Sequence, residues 1–257
     1  MSLLIDADFI VYKCCAAAET ELDFGEDVIV VTSKFSEAMG LVERELYSIA
    51  DCLGQFDDSI LFFSSPKNFR KDLKPDYKGH RNRKKPCGYR RVINALKQDY
   101  PVVILDGMEA DDALGIYATK EKGHVVVSPD KDLRQIPGDY FNLSDPIITI
   151  TKEEADRWHL IQTMAGDQTD GYSGVPGIGV KRADALLEKN GFNWDTVVDA
   201  FKAKDMSEDD ALLNARLAKI LQNDLYIDGQ IQLWTPDACN SNDDGTRVPI
   251  AANGRSD

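Results

Sequence analysis

The sequence predicts an α/β fold: a mostly parallel sheet covered by helices on both faces, followed by a helical region. Three observations predict it. Short apolar, β-rich runs recur at residues 3–5 (LLI), 28–31 (VIVV), 60–63 (ILFF), 102–105 (VVIL) and 125–127 (VVV). Helical patterns separate several of them, and beyond about residue 150 the strand-like runs give way to helix alone. Apolar strands alternating with helices are what a sheet buried on both faces requires.

The elements follow in order. The run 3–5 leads straight into Asp6 and Asp8. Residues 34–54 place Phe35, Met39, Val42, Leu46, Ile49 and Leu53 at three- and four-residue spacing, one face of a helix. Residues 110–123 form an amphipathic helix that stops at Gly123. Ser207, with Asp210 three residues on, is the N-cap of a late helix. No internal repeat is present. The expected division is 1–150 for the α/β part, 151–234 for the helical part and 235–257 for a polar tail.

With 257 residues, 43% of them apolar, the chain can bury a large core or a main domain and a smaller one. No apolar run approaches the roughly 20 residues of a membrane span. An acid by the sixth residue leaves no room for a signal-peptide core, so a cytoplasmic protein is expected. Five scattered cysteines suit neither a disulfide framework nor a zinc site.

The net charge of −14 argues against nucleic acid as a partner, but its distribution argues for it. Between Lys67 and Arg91 eleven Lys/Arg stand against Asp72 and Asp76, a segment of +9 in a chain otherwise carrying −23. Such a block can hold a polyanion. A solvated charged loop is the ordinary alternative. The interleaved Phe69, Tyr77 and Tyr89 favour stacking on unpaired bases instead.

Acids sit where sheet topology puts sites, outside the carboxyl ends of strands. Asp6 and Asp8 follow the first run, Glu109, Asp111 and Asp112 follow VVIL, and Asp130 and Asp132 follow VVV. Asp130 and Asp132, two apart in extended chain, would share a side. Glu109 and Asp112, three apart at a helix start, would be neighbours. Acids at a helix N-terminus can simply meet its dipole, which is how Glu208, Asp209 and Asp210 behind Ser207 are read. The 109–112 cluster differs because it follows a strand and is matched after two others.

Gathered carboxylates repel and need a cation. Oxygen ligands without histidine or thiolate suit magnesium or manganese, and two such ions about 4 Å apart can activate water and stabilise both the attacking and the leaving oxygen of a phosphodiester. A further pair, Asp167 and Asp170, precedes a turn with Gly174, Gly177 and Gly179. Lys181 and Arg182 then open an amphipathic helix. Exposed backbone N–H groups and a helix N-terminus make a phosphate site without sequence preference. The alternative is that these glycines only end one helix and start another.

The ordered motifs LLIDAD, YKGHR, MEADDAL, VSPDKDL and GDQTDGYSGVPGIG resemble the metal-dependent 5′-nuclease superfamily of flap endonucleases and 5′→3′ exonucleases. FRKDLKPDYK, KKPCGY, WHLIQT and IQLWTP are similar to the small 5′→3′ exonucleases of podovirus-type lytic phages, which extends coverage to about residue 236. The resemblance implies a PIN-like α/β nuclease domain with a basic arch or clamp at 67–91 and an appended helix-hairpin-helix (helix-three-turn-helix) region. DNA would be hydrolysed from a 5′ end to 5′-phosphorylated products, with flap endonuclease and RNase H-like activity as further expectations. It also implies a role in phage DNA replication or host DNA degradation, in the cytoplasm of a bacterial host.

The implied metal ligands, direct or through water, are Asp6, Glu109, Asp111, Asp112, Asp130, Asp132, Asp167 and Asp170, holding two divalent cations, Mg or Mn. Lys78 and Arg81 would contact the scissile phosphate. DNA-binding groups would be Arg70, Tyr77, Arg83, Lys84, Lys85, Gly174, Gly177, Gly179, Lys181 and Arg182, with a potassium ion at the hairpin. The partner would be duplex DNA with a 5′ end, nick or flap, or an RNA–DNA hybrid, bound by a monomer. Two departures stand out. Ser64 and Ser65 occupy the place of a further acid, and Gly171 that of a common Asn. Two rival readings are a haloacid-dehalogenase-type phosphatase using Asp6 and Asp8, and a non-enzymatic DNA-binding accessory protein.

Overall fold

The computed structural model describes residues 2–54, 58–81 and 84–236. In chain order its elements are β1 (Ser2–Asp6), α1 (Ala7–Ala17), β2 (Glu19–Asp23), β3 (Ile29–Ser33), α2 (Phe35–Leu53), β4 (Asp58–Phe62), α3 (Arg70–Leu73), α4 (Tyr89–Asp99), β5 (Val102–Val103), α5 (Ala110–Lys120) and β6 (His124–Val127). A 3₁₀ turn (Lys131–Gln135) leads to β7 (Gly138–Phe141) and β8 (Ile148–Ile150). The helical part holds α6 (Lys152–Ala165), β9 (Gly166–Asp167), β10 (Tyr172–Ser173), α7 (Val180–Asn190), α8 (Trp194–Lys202) and α9 (Glu208–Ala218).

The central sheet has the order β5-β4-β1-β6-β7-β8. All its pairs are parallel except β7 with β8. Its two faces follow from side-chain alternation. Leu3, Ile5, Leu61, Phe63, Val125 and Val127 face the core under α1, α2 and α4, while Leu4, Phe62 and Val126 face α5, Tyr140 and Ile150. Leu3, Leu4 and Ile5 are all 0% exposed, which explains why this strand reads as an unbroken apolar run.

Three expectations are corrected. Beyond residue 150 the chain is not helix alone, since β9 and β10 pair antiparallel within it. The 28–31 run does not join the sheet. As β3 it pairs antiparallel with β2 in a separate hairpin, where Ile29, Val30 and Val31 remain exposed. The 102–105 run is a strand for only two residues, and β7 and β8, outside the five runs, complete the sheet edge.

Beyond residue 150 a third core joins α6, α7 and α8 through Leu160, Met164, Leu187, Val197 and Phe201. A fourth spans both parts of the chain. Phe69, Met108 and Ile116 pack with Ala215, Leu221, Leu225 and Trp234. Ser207 caps α9 as its sequence predicts, with Asp210 returning the bond. Among the described residues no helix is long and apolar enough to cross a membrane.

Candidate metal centre and nucleic-acid interface

Parallel strands deliver their following residues to one rim. Asp6 ends β1, Glu109 is the N-cap of α5 after β5, and Asp130 is the N-cap of the 3₁₀ turn after β6. The pair β9–β10, packed beside them, carries Asp167 and leads to Asp170. Asp130 and Asp132 share this rim through a tight turn, not an extended chain: Asp132 N donates to Asp130 Oδ1 at 2.9 Å.

The electrostatics show which acids face one another. Burial, then the charges of Asp8 and Asp130, raise the Asp6 carboxyl to about 6 against a 2.8 Å hydrogen bond donated by Ser128. Burial and the neighbouring Asp6, Glu109 and Asp130 push Asp111 well above the carboxylate range. Asp132 is raised to about 7 by burial, then by Asp130, Asp167 and Asp170. Asp6, Asp111 and Asp130 thus lie close enough to feel one another's charge, and Asp132 stands between Asp130 and the pair Asp167 and Asp170.

Glu109 is held opposite to these. Burial works against its charge, but Lys78 and Arg70 lower it to about 2. Lys78 Nζ bonds Glu109 and lies 3.4 Å from Asp170, so its ammonium bridges the start of α5 and the β9–β10 turn. Arg81 pairs with Asp170 at 2.6 Å and donates to Thr169 O. Both basic residues predicted to meet phosphate therefore stand at the acid rim. As arranged, no three His, Cys, Asp or Glu side chains among the described residues make a ready ion cage.

The donor set nonetheless fits a divalent cation. Asp132 Oδ1 is buried with no hydrogen-bond partner, and Asp6 and Asp111 are carboxyls whose charge is unfavourable where they lie. A hard cation bound by oxygen is what would stabilise such groups as anions.

Several predicted roles are corrected. Asp112 is 0% exposed and has no oxygen to spare for a metal. Its Oδ1 accepts from Arg70 Nη2 and Leu221 N, and its Oδ2 from Arg70 Nη1 and Glu109 N, at 2.7–3.2 Å. That fills the roughly four acceptor sites of a carboxylate. Arg70 is correspondingly 3% exposed and cannot reach DNA. Phe69, Tyr77 and Tyr89 are 7%, 2% and 6% exposed, so they anchor the basic segment and do not stack on bases. Tyr77 Oη lies 3.1 Å from Glu109 and 2.9 Å from Asp170.

Asp8 serves the scaffold too: it accepts from Tyr89 Oη and, at 2.9 Å, from Ser64 N. This leaves the second Asp that a phosphatase reading needs in a structural post. Ser64 Oγ accepts from Ala110 N at 3.0 Å, a role in the first turn of α5 that sequence reading missed.

Lys84 and Lys85 are exposed, and Lys85 stacks over the Tyr89 ring at 4.5 Å. Arg83 lies outside the described residues. In the hairpin, Gly177 adopts a left-handed φ of 79°, and Gly177, Gly179, Lys181 and Arg182 are exposed at the start of α7, which has no side-chain cap. Gly174 is required for another reason. A Cβ there would lie 2.2 Å from Met164 O, so β10 runs directly against the end of α6. Gly174→Ala is expected to cost about 1–3 kcal/mol or more by forcing backbone apart, read as a lowered Tm with weakened duplex binding. An unchanged Tm would contradict this packing.

Comparison with known proteins agrees with this architecture. Residues 1–164 match the model of the family described as 5'-3' exonuclease, N-terminal resolvase-like domain. The chain is 30% identical to an exodeoxyribonuclease of Enterobacteria phage T3, over 91% of this chain and 92% of that one. It is 29% identical to an exonuclease of Escherichia phage T7, over 91% and 93%. The fold is similar to that of the phage T5 D15 protein co-crystallized with metal ions, with a TM-score of 0.66, 16% identity and coverage of 85% and 89%. The chain belongs to the 5′-3′ exonuclease family.

Proposed function

We propose that this chain is a metal-dependent 5′→3′ exodeoxyribonuclease that hydrolyses DNA phosphodiesters to 5′-phosphorylated products, with flap endonuclease activity at branched 5′ ends. The observation that carries it is the convergence of Asp6, Asp111 and Asp130 with Asp132, Asp167 and Asp170 at the carboxyl rim of a parallel sheet, with Lys78 and Arg81 among them. Asp6, Glu109, Asp111 and Asp130 would hold one divalent cation and Asp132, Asp167 and Asp170 a second. Magnesium or manganese suits this all-oxygen set. Such ions supply an activated water and stabilise charge on the attacking and leaving oxygens.

The chain's own groups do the rest. Lys78 and Arg81 exchange their carboxylate partners for the phosphate and offset its developing charge. Exposed Lys84 and Lys85 track the strand being cut. Gly177, Gly179, Lys181 and Arg182 hold the adjoining duplex by its backbone, without sequence preference and with potassium as the ion suited to the turn. In this reading residues 1–150 form the nuclease part, 151–234 the duplex-binding part, and the protein works as a monomer in a bacterial host's cytoplasm, on DNA or an RNA–DNA hybrid.

The test is digestion of end-labelled duplex, nicked, flapped and RNA–DNA substrates with magnesium, with and without EDTA. Short products from the labelled 5′ end, abolished by EDTA, are expected. Cleavage that survives chelation, or products released only from 3′ ends, would overturn the reading.

A further inference from the structure

The acids of the proposed centre come from elements far apart in sequence, and like charges do not hold one another in place. We infer that residues 214–222, the end of α9 and the chain beyond it, form a strap that fixes the acid-bearing elements relative to one another. Arg70, Gln135 and Asn214 act as positioning residues for metal binding. The inference rests on the reading of those acids as metal ligands.

The strap bonds three of the four acid-bearing elements, leaving β1 with Asp6 to the sheet. At α5, which carries Glu109 and Asp111, Leu221 N donates to Asp112 Oδ1 at 3.1 Å. Arg70 spans the same joint: its fork takes Asp112, while Nε and Nη2 reach Leu217 O at 2.9 Å and Lys219 O at 2.6 Å. The approach is so close that a Cβ on Gly115 of α5 would lie 2.2 Å from Leu221 O. At the 3₁₀ turn, which carries Asp130 and Asp132, Gln135 is 0% exposed. Its Nε2 donates to Ala218 O at 2.7 Å and its Oε1 accepts from Ile220 N at 3.1 Å. Gln222 Nε2 returns a bond to Gln135 O at 2.7 Å. At β9–β10, which carries Asp167, Asn214 Nδ2 donates to Ser173 O at 2.7 Å.

The chemistry of these joints is informative. Apolar side chains of similar shape would hold the segments together about as well, because a buried polar group gains little net stability from its bonds. What directed bonds add is a single register. Oxygen ligands need that register, since partners behind metal ligands set their orientation and their loss commonly weakens binding about 10–100-fold.

The experiment measures Mn²⁺ binding to the full chain without DNA, by calorimetry and by Mn²⁺ electron paramagnetic resonance, beside steady-state cleavage and thermal melting. Gln135→Met removes the amide and keeps the volume. It is expected to bind Mn²⁺ about 10–100-fold more weakly and to lose kcat with little change in KM for DNA. Arg70→Lys, which keeps charge but not the fork, should do likewise. If Gln135→Met does not fold, Asn214→Ala provides the same reading. Wild-type Mn²⁺ affinity in a folded variant with a lowered Tm would show the strap to be merely structural and overturn the inference. Asp130→Ala separates the two levels. Loss of Mn²⁺ binding there, with wild-type binding in Gln135→Met, sinks the strap alone, whereas no binding by the wild type sinks the metal reading and the strap with it.

Discussion

Asp130→Ala is expected to lower single-turnover cleavage with magnesium by about 10³-fold or more, because it removes a ligand of the cation that would balance the charge developing on the phosphodiester. DNA binding in EDTA should persist or tighten, since an anion has been taken from a polyanion's path. The position is well suited to the test. Asp130 is exposed, and the one side-chain hydrogen bond it accepts among the described residues comes from Asp132 N. Asp130→Asn separates the two roles, since its carbonyl can still cap the turn but carries no charge. Cleavage at the wild-type rate in either variant would refute a ligand role for this residue.

The largest effect on stability is expected at the buried pair. Asp112→Ala would strand the Arg70 guanidinium, 3% exposed, without its bidentate partner and would leave Leu221 N and Glu109 N unpaired. Breaking one side of a buried ion pair costs about 3–5 kcal/mol. For a chain of this size that corresponds to a Tm lower by roughly 10 °C. The double replacement Arg70→Met with Asp112→Leu should recover much of that loss, because it removes both charges from the interior. A single variant that melts like the wild type, or a double variant no better than the single, would contradict the pairing.

These predictions mark where sequence and structure part. The first strand was legible because a strand buried on both faces must be apolar throughout, as Leu3, Leu4 and Ile5 are. Helix α2 was legible because its buried stripe repeats at helical spacing. The hairpin β2–β3 was misread for a related reason: an apolar β-branched run looks the same whether it enters a sheet or stands outside one. The expectation that interleaved aromatics stack on bases failed similarly. Phe69, Tyr77 and Tyr89 are the buried feet of a charged segment, and a local pattern does not show which side of a segment faces inward.

The acids divide along the same line. The sequence by itself determined that carboxylates follow successive strands, that a basic block and a glycine turn accompany them, and hence the chemistry to expect. Only the tertiary structure decided which acid does what. Asp111 joins Asp6 at the rim while its neighbour Asp112 turns inward to Arg70 and Leu221, and Asp8 goes to Tyr89 and Ser64. The physical reason is that a carboxylate's role depends on the donors that reach it, and here those donors come from positions as far apart as 70 and 221.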